Sequence, residues 1–305
     1  MWYAQLFLGM ALAVCIAVTA SAADKFSFQL TPGYYSGRYD GSKYRDRIQG
    51  AGANIEGQFA ARWGFAAGYE HTRIKYKLQL PVYRQNAVFL SSHVSYIPQH
   101  ALASYIFRLD FHSVNDDDGE YSADDARVIA PQVSYQRDDN SLYLDLGYAD
   151  SRYGTNPYIS GALRIQQWTP TLGIALTRGG ANWLKLRGYF NHSDNRLRSQ
   201  NKKDTAALEA KYMYHPLSSY KLVPQFFEAG VLVGERIYTV DRDTASVANL
   251  ADLEKDGMTL SAQWRLTKSL NLLVVGSRSQ FREQTYTGYN DYFQKSVWLG
   301  LVTRW

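Results

Sequence analysis

A chain of 305 residues, 46% hydrophobic and 20% charged, has room for one large domain, and no linker or low-complexity run divides it. The formal net charge of +5 is mild and the basic residues are scattered, which argues against a nucleic-acid partner. A single cysteine, Cys15, excludes a disulfide framework.

The first stretch, Trp2 to Val18, is almost wholly apolar and runs into Thr19, Ala20, Ser21, Ala22 and Ala23. Ala20 and Ala22 meet the A-x-A pattern of a secretory cleavage site, so residues 1–22 read as a signal peptide and 23–305 as the mature domain. Cleavage there removes Cys15 and leaves no thiol nucleophile or thiolate metal ligand. Lipidation of Cys15 and a retained membrane helix are the alternatives. Val14 is bulky for the position before a lipidated cysteine, and the apolar run is short for a span.

After Ala23 no apolar run is long enough for a membrane helix, yet the chain holds 24 Tyr, 13 Phe and 7 Trp. They recur in segments of about ten residues with period two, the pattern of membrane-spanning strands. The series opens with Phe26, Phe28 and Leu30. Ala51 to Phe59 alternates with Asn54, Glu56 and Gln58, and Trp63, Phe65, Ala67 and Tyr69 follow. Val88 to Tyr96, Ala103 to Phe111, Val133 with Tyr135, and Leu142 to Tyr148 continue it. Next come Trp168 to Leu176, Leu184 to Phe190, Ala206 to Tyr212, Phe227 to Val233, Met258 to Trp264 and Leu270 to Val274.

With the last ten residues this makes about fourteen strands, twelve or sixteen being alternatives, in an all-β antiparallel up-and-down barrel. Short connections fall near 61, 99, 139, 179, 217 and 268. Long polar ones are expected at 36–47, 77–86, 113–126, 153–163, 192–204, 239–255 and 282–292. Short periplasmic turns and long outer loops would put both termini in the periplasm.

The chain ends SVWLGLVTRW, with Val297, Leu299, Leu301, Thr303 and Trp305 on one face of a strand. This ending resembles that of Gram-negative outer-membrane β-barrel proteins, in which the barrel-assembly machinery reads a terminal aromatic preceded by alternating apolar residues. Val297, Leu299, Leu301 and Trp305 match the pattern; Trp305 replaces the commoner Phe, and Thr303 stands where an aromatic or aliphatic is usual. The resemblance implies an outer-membrane location, contact with its lipids and lipopolysaccharide, and no cofactor. The size and regularity are similar to those of small monomeric porins.

If the apolar set meets lipid, the alternate set faces the lumen. It contains Glu56, Glu70, Arg108, Asp110, Asp145, Lys185, Arg187, Glu209, Lys211, Glu228 and Arg265, expected to line a pore. Small inward residues such as Gly64, Ala66, Gly68, Gly147 and Gly173 favour an open bore over a lumen packed with ion pairs. In the 239–255 loop, Val247, Leu250 and Leu253 are spaced as a short helical face, and Asp241, Asp243, Asp252 and Glu254 add negative charge. The expectation is an ordinary outer loop, with an inward constriction or lid as the alternative.

Catalytic patterns are weak. His192 and Ser193 are adjacent, so on a strand they point to opposite faces and cannot form a His–Ser pair. Asp110 and His112 share an inward face but lack a second carboxylate motif, and an ion pair is the simpler reading. The acidic run Asp116, Asp117, Asp118, Glu120, Asp124 and Asp125 lacks the glycine of a calcium loop. His71, His93, His100, His112, His192 and His215 show no metal-ligand spacing. Basic loops around Arg38, Lys43, Arg45 and Arg47, and around Arg196, Arg198, Lys202 and Lys203, suit lipopolysaccharide phosphates or plain solvent. The expected function is passive diffusion of small hydrophilic solutes. The alternatives are a structural or export barrel serving a polysaccharide or periplasmic partner, and a membrane-embedded hydrolase.

Overall fold

Period-two alternation puts successive side chains on opposite faces of an extended chain, and the computed structural model folds each such segment as a strand. It describes residues 26–59, 62–77, 82–98, 102–116, 125–154, 161–216, 223–248, 250–285 and 288–305. The expected signal peptide, His100, and Asp117, Asp118, Glu120 and Asp124 of the acidic loop lie outside these residues.

The strands are β1 (Phe26–Asp40), β2 (Arg45–Phe59), β3 (Trp63–Tyr76), β4 (Tyr83–Tyr96), β5 (Ala103–Asp116), β6 (Ala126–Arg137) and β7 (Leu142–Tyr153). They continue with β8 (Leu163–Ala175), β9 (Asn182–Ser193), β10 (Asp204–Tyr214), β11 (Phe226–Arg236), the two-residue strands β12 (Val240–Asp241) and β13 (Ser246–Val247), then β14 (Leu253–Arg265), β15 (Leu270–Thr285) and β16 (Gly288–Arg304). All but β12 and β13 join in one closed antiparallel barrel of 14 strands, each beside its neighbour in sequence. The expected strand number holds.

β1 closes onto β16, Gln29 opposite Arg304 and Asp40 opposite Phe293. Phe28 and Trp305 exchange backbone hydrogen bonds of 2.9 and 3.1 Å, so both ends of the described chain lie at one rim. Tight connections such as 138–141 and 177–181 share this turn end. In the second of them Gly179 and Gly180 have φ of 85° and 71°, a conformation that other residues adopt only with strain. The opposite rim is the loop end.

Around its middle the barrel is apolar outside, with Phe107, Leu146, Leu208, Val231 and Leu299 all about half exposed. Trp63, Tyr96 and Trp305 ring the turn-end edge of this belt, and Tyr34, Tyr69 and Trp168 its other edge. An apolar band between aromatic girdles is the outer surface of a transmembrane barrel. The face expected to carry an assembly signal, Val297, Leu299, Leu301 and Trp305, is exposed on this surface.

Towards the loop end two expected loops are absent. Residues 36–47 and 282–292 are mostly strand: β1 and β2 are separated only by 41–44, and β15 and β16 only by residues 286 and 287. The alternation continues there with its phase reversed. Arg38, Asp40, Lys75, Arg127, Arg152, Arg164 and Lys295 point outwards and are exposed. Tyr39, Ile48, Ile74, Tyr83 and Tyr292 cluster inwards on one side, and Val114, Ala126, Tyr153, Leu163 and Ile165 on the other. This collar stands beyond the apolar belt, so its outer face meets water and its apolar side chains turn into the bore.

Candidate functional site

The inside of the collar is filled by the segment after β11. Residues 239–255 are expected as an outer loop, but 237–248 and 250–252 fold into the barrel and β14 begins at Leu253, which corrects that expectation and the expectation of an open bore. Val247 lies in a strand, Leu250 packs on the collar, and Leu253 begins β14, so the three form no helical face.

The segment enters at Ile237 and Tyr238, which join the apolar cluster of Val114, Tyr153, Leu163 and Ile165. Buried polar side chains then meet its main chain. Asn191 Nδ2 donates to Ile237 O (3.0 Å), and Tyr153 OH donates to the carbonyls of Tyr238 and Ala248 (both 3.2 Å). Gln167 on β8 forms a reciprocal pair with Val240, accepting from its N–H (2.9 Å) and donating to its carbonyl (2.8 Å). Val240 packs on Val128, Ala130 and Ala149. A buried backbone needs such partners, and the wall supplies them at the level of a strand.

β12 and β13 then form a small hairpin whose tip carries three charges in a row, Asp241, Arg242 and Asp243. Arg242 reaches the wall between β6 and β7, where cross-strand pairing runs from Ile129–Asp150 to Gln132–Gly147 with a gap between. Pro131 has no N–H to offer the ladder there, and Arg242 Nη2 donates to the carbonyls of Pro131 (3.0 Å) and Tyr148 (2.6 Å). The guanidinium lies over Gly147, where a Cβ would collide with it.

Asp243 meets three cations. Arg187 Nη2 and Lys211 Nζ each donate to its carboxylate at 2.8 Å, and Lys185 Nζ at 3.2 Å. Glu209 stands 3.4 Å from Lys211, Glu228 3.8 Å from Lys211, and Asp241 4.0 Å from Arg187. Burial opposes the charge on Asp243, but Arg187, Lys185 and Lys211 outweigh it and hold its carboxyl well below the ordinary range.

The return limb crosses to the far side of the bore. Asp252 pairs with Arg45 of β2 and accepts from Tyr292 OH (2.8 Å), while Glu283 accepts from Ser42 Oγ (2.8 Å) and from the Lys43 N–H (2.6 Å). Gln200, from the β9–β10 connection, donates to Ala251 O (2.7 Å) and Arg282 O (2.8 Å). Two connections therefore meet across the loop end, tied to β6–β10 on one side and to β2, β15 and β16 on the other.

Of the residues expected to line a pore, Lys185, Arg187, Glu209, Lys211 and Glu228 come together around Asp243. Arg108 and Asp110 form a separate pair of 2.7 Å, Glu70 accepts from Tyr35 OH (3.2 Å), and Asp145 accepts from Ser134 Oγ (3.1 Å). Glu56 accepts from Asn54 Nδ2 (2.8 Å) and, like Arg265, is exposed near the turn end. Of the basic loop residues, Arg45 and Arg198 are buried inside the collar, because Asp252 and the carbonyls of Gly154 and Gly161 hold them; Arg38, Lys43, Arg47, Arg196 and Lys203 are exposed. His192 is on the outer face with Asp204 Oδ1 2.7 Å from its Nδ1, while Ser193 is buried inside. Neither the hairpin triplet nor the Gln167 clamp stands out as a site in the sequence. Their signal was faint: three cations on β9 and β10 against two acids on β10 and β11, and an acid-rich connection after β11.

No protein-family model and no curated protein matches the chain. Solved structures do. The Pseudomonas putida toluene transporter TodX superposes with a TM-score of 0.53 at 10% identity, over 92% of this chain and 90% of that one. The Ralstonia pickettii toluene transporter TbuX gives 0.54 at 8% identity over 93% and 90%, and the monoaromatic hydrocarbon channel CymD 0.55 at 9% over 92% and 88%. At such identities the likeness is one of fold, and it runs along nearly the whole described barrel. With its apolar belt, aromatic girdles and closed even-stranded wall, the chain has the architecture of a transmembrane β-barrel.

Proposed function

We propose that the protein is an outer-membrane channel for small solutes, closed at its loop end by its own residues 237–248 and 250–252. The observation that carries this reading is the composition of the bore. A barrel of this size leaves interior space. Here that space is lined by charged and polar side chains and filled by a hairpin tied to the wall through its tip charges. A lumen serving stability alone needs no separate segment threaded into it. Short turns and both described chain ends at one rim fit a periplasmic turn end and an outward collar.

The mid-bore charges around Lys185, Arg187, Glu209 and Lys211 favour hydrophilic or ionic solutes. A second reading, hydrophobic solutes, draws on the tyrosine-rich inside of the collar, Tyr39, Tyr83 and Tyr292, and on the likeness in fold to the toluene transporters TodX and TbuX and the monoaromatic hydrocarbon channel CymD. Liposomes carrying the purified barrel separate the two. Faster entry of a neutral sugar and of a small carboxylate supports the hydrophilic reading, and faster entry of toluene alone supports the other. Entry of none, even with the hairpin removed, would contradict a channel and favour a barrel that serves a bound partner.

A further inference from the structure

The three cations around Asp243 are arranged as a site. Lys185 and Lys211 stand directly opposite one another on β9 and β10, with Arg187 two residues along and opposite Glu209. Like charges in direct cross-strand register repel, so this placement requires an anion between them. The wall's own acids do not fill that place: Glu209 is 3.4 Å from Lys211 and 3.9 Å from Arg187, and Glu228 is 3.8 Å from Lys211. The carboxylate of Asp243 does, at 2.8, 2.8 and 3.2 Å. Without the hairpin, three cations face two acids and the pocket keeps one net positive charge.

The occupied site is reachable from one side. The Asp243 side chain is 31% exposed, and Lys185, one of its partners, also lines a cavity of about 340 Å³ at the turn end, with Gln136, Tyr143, Trp183 and Met213. The hairpin is held unequally. Its base has the Gln167 clamp, Asn191, Tyr153 and apolar packing, whereas its tip has the Asp243 contacts and Arg242. The Arg242 guanidinium bonds two main-chain carbonyls, and its Nε and Nη1 have no partner. Moving the tip would return that charge to water, which offsets part of what is lost.

We propose that Lys185, Arg187 and Lys211 form an oxyanion site in the lumen and that Asp243 is its built-in occupant. A small carboxylate, phosphate or sulfate entering through the turn-end cavity takes the place of Asp243 and frees the hairpin tip, residues 241–246, while the base stays docked. The channel reading supplies the purpose of this exchange, and the exchange itself is testable without conduction. Two or more oxygens can bridge the separated cations as the Asp243 carboxylate does, which a chloride ion cannot.

The test uses full-length protein folded in detergent, with Cys15→Ser and Thr244→Cys carrying a nitroxide spin label. Unheated gel mobility confirms that each variant is a folded barrel. In sodium chloride the label should be immobile. Sodium phosphate or sodium acetate at the same ionic strength should convert it saturably to a mobile form, with half-conversion at roughly ten-fold lower concentration than any chloride effect. Adding Asp243→Asn should make the label mobile in every salt, and adding Lys185→Gln should raise the phosphate needed. Equal responses to phosphate and chloride, no response to phosphate, a label already mobile in chloride, or an immobile label in the Asp243→Asn protein would each overturn the proposal. A phosphate-driven conversion in a protein that passes no solute would leave the site standing and defeat only the channel reading.

Discussion

The belt and the collar are made of the same strands and obey opposite rules. In the belt Leu146, Leu208 and Val231 point out, and Asp145, Arg187 and Glu209 point in. Further along β7 and on its neighbour β6, Arg152 and Arg127 point out, and Tyr153 and Ala126 point in. The strands stay antiparallel neighbours through both, with only local register shifts and short gaps in the pairing such as that at Pro131. What changes is the medium on each side: lipid outside and a polar bore inside in the belt, water outside and a packed plug inside in the collar. The phase of an alternating pattern reports the surroundings, while its period reports the strand.

This contrast can be broken by substitution, and the largest effect is expected where charge is buried in the collar. Arg45 and Asp252 are 5% and 6% exposed, and Arg45→Ala strands the Asp252 and Glu283 carboxylates among tyrosines. Losing one partner of a buried pair costs about 3–5 kcal/mol, to be read as lower urea stability of the folded barrel. Next, Leu208→Arg puts a charge into the lipid belt and should cost about 2–4 kcal/mol in lipid vesicles. Arg127→Leu, on the exposed collar face, should change stability by less than about 0.5 kcal/mol. If both cost the same, the belt and collar do not face different media.

Smaller effects sharpen the account of the hairpin. Gly147→Ala would drive its Cβ into the Arg242 guanidinium, the far end of a flexible side chain. The barrel should lose no more than about 1 kcal/mol, yet conductance should rise as Arg242 leaves the wall. Lys202→Ala removes a half-exposed pair with Glu235 (2.7 Å) and should cost only about 0.2–1 kcal/mol. Acid should do least of all. Because the Asp243 carboxyl is held below its ordinary value, its contribution is complete above that value, about 3.9, and is lost only as pH falls through the depressed one. Conductance at about pH 5 should equal that at neutral pH; a marked opening there would assign the latch to another group.

The belt was legible in the sequence because lipid admits few substitutes for an apolar residue at every second position, and the strand number followed from it. Tyr39, Tyr292 and the exposed Arg38 and Lys295 were harder. Polar outward residues beyond the belt resemble loop residues, so β1, β2, β15 and β16 looked shorter than they are. Parity alone puts the eleven inward charges in the bore, but parity cannot say which of them meet. Lys185, Arg187 and Lys211 converge through cross-strand register, and Asp243 reaches them only because a segment over thirty residues distant in sequence folds inwards. The inward fold of 237–248 depends on Gln167, Asn191 and Tyr153 matching its backbone, and such side chains look the same in a solvated wall.

The most direct test is single-channel conductance of the refolded protein in a planar bilayer, with and without the inward segment, residues 238–251 being replaced by a short glycine–serine link between β11 and β14. The account predicts small or rare openings for the intact chain and large, stable, ohmic openings for the variant. Equal conductance in the two would show that the hairpin does not close the bore.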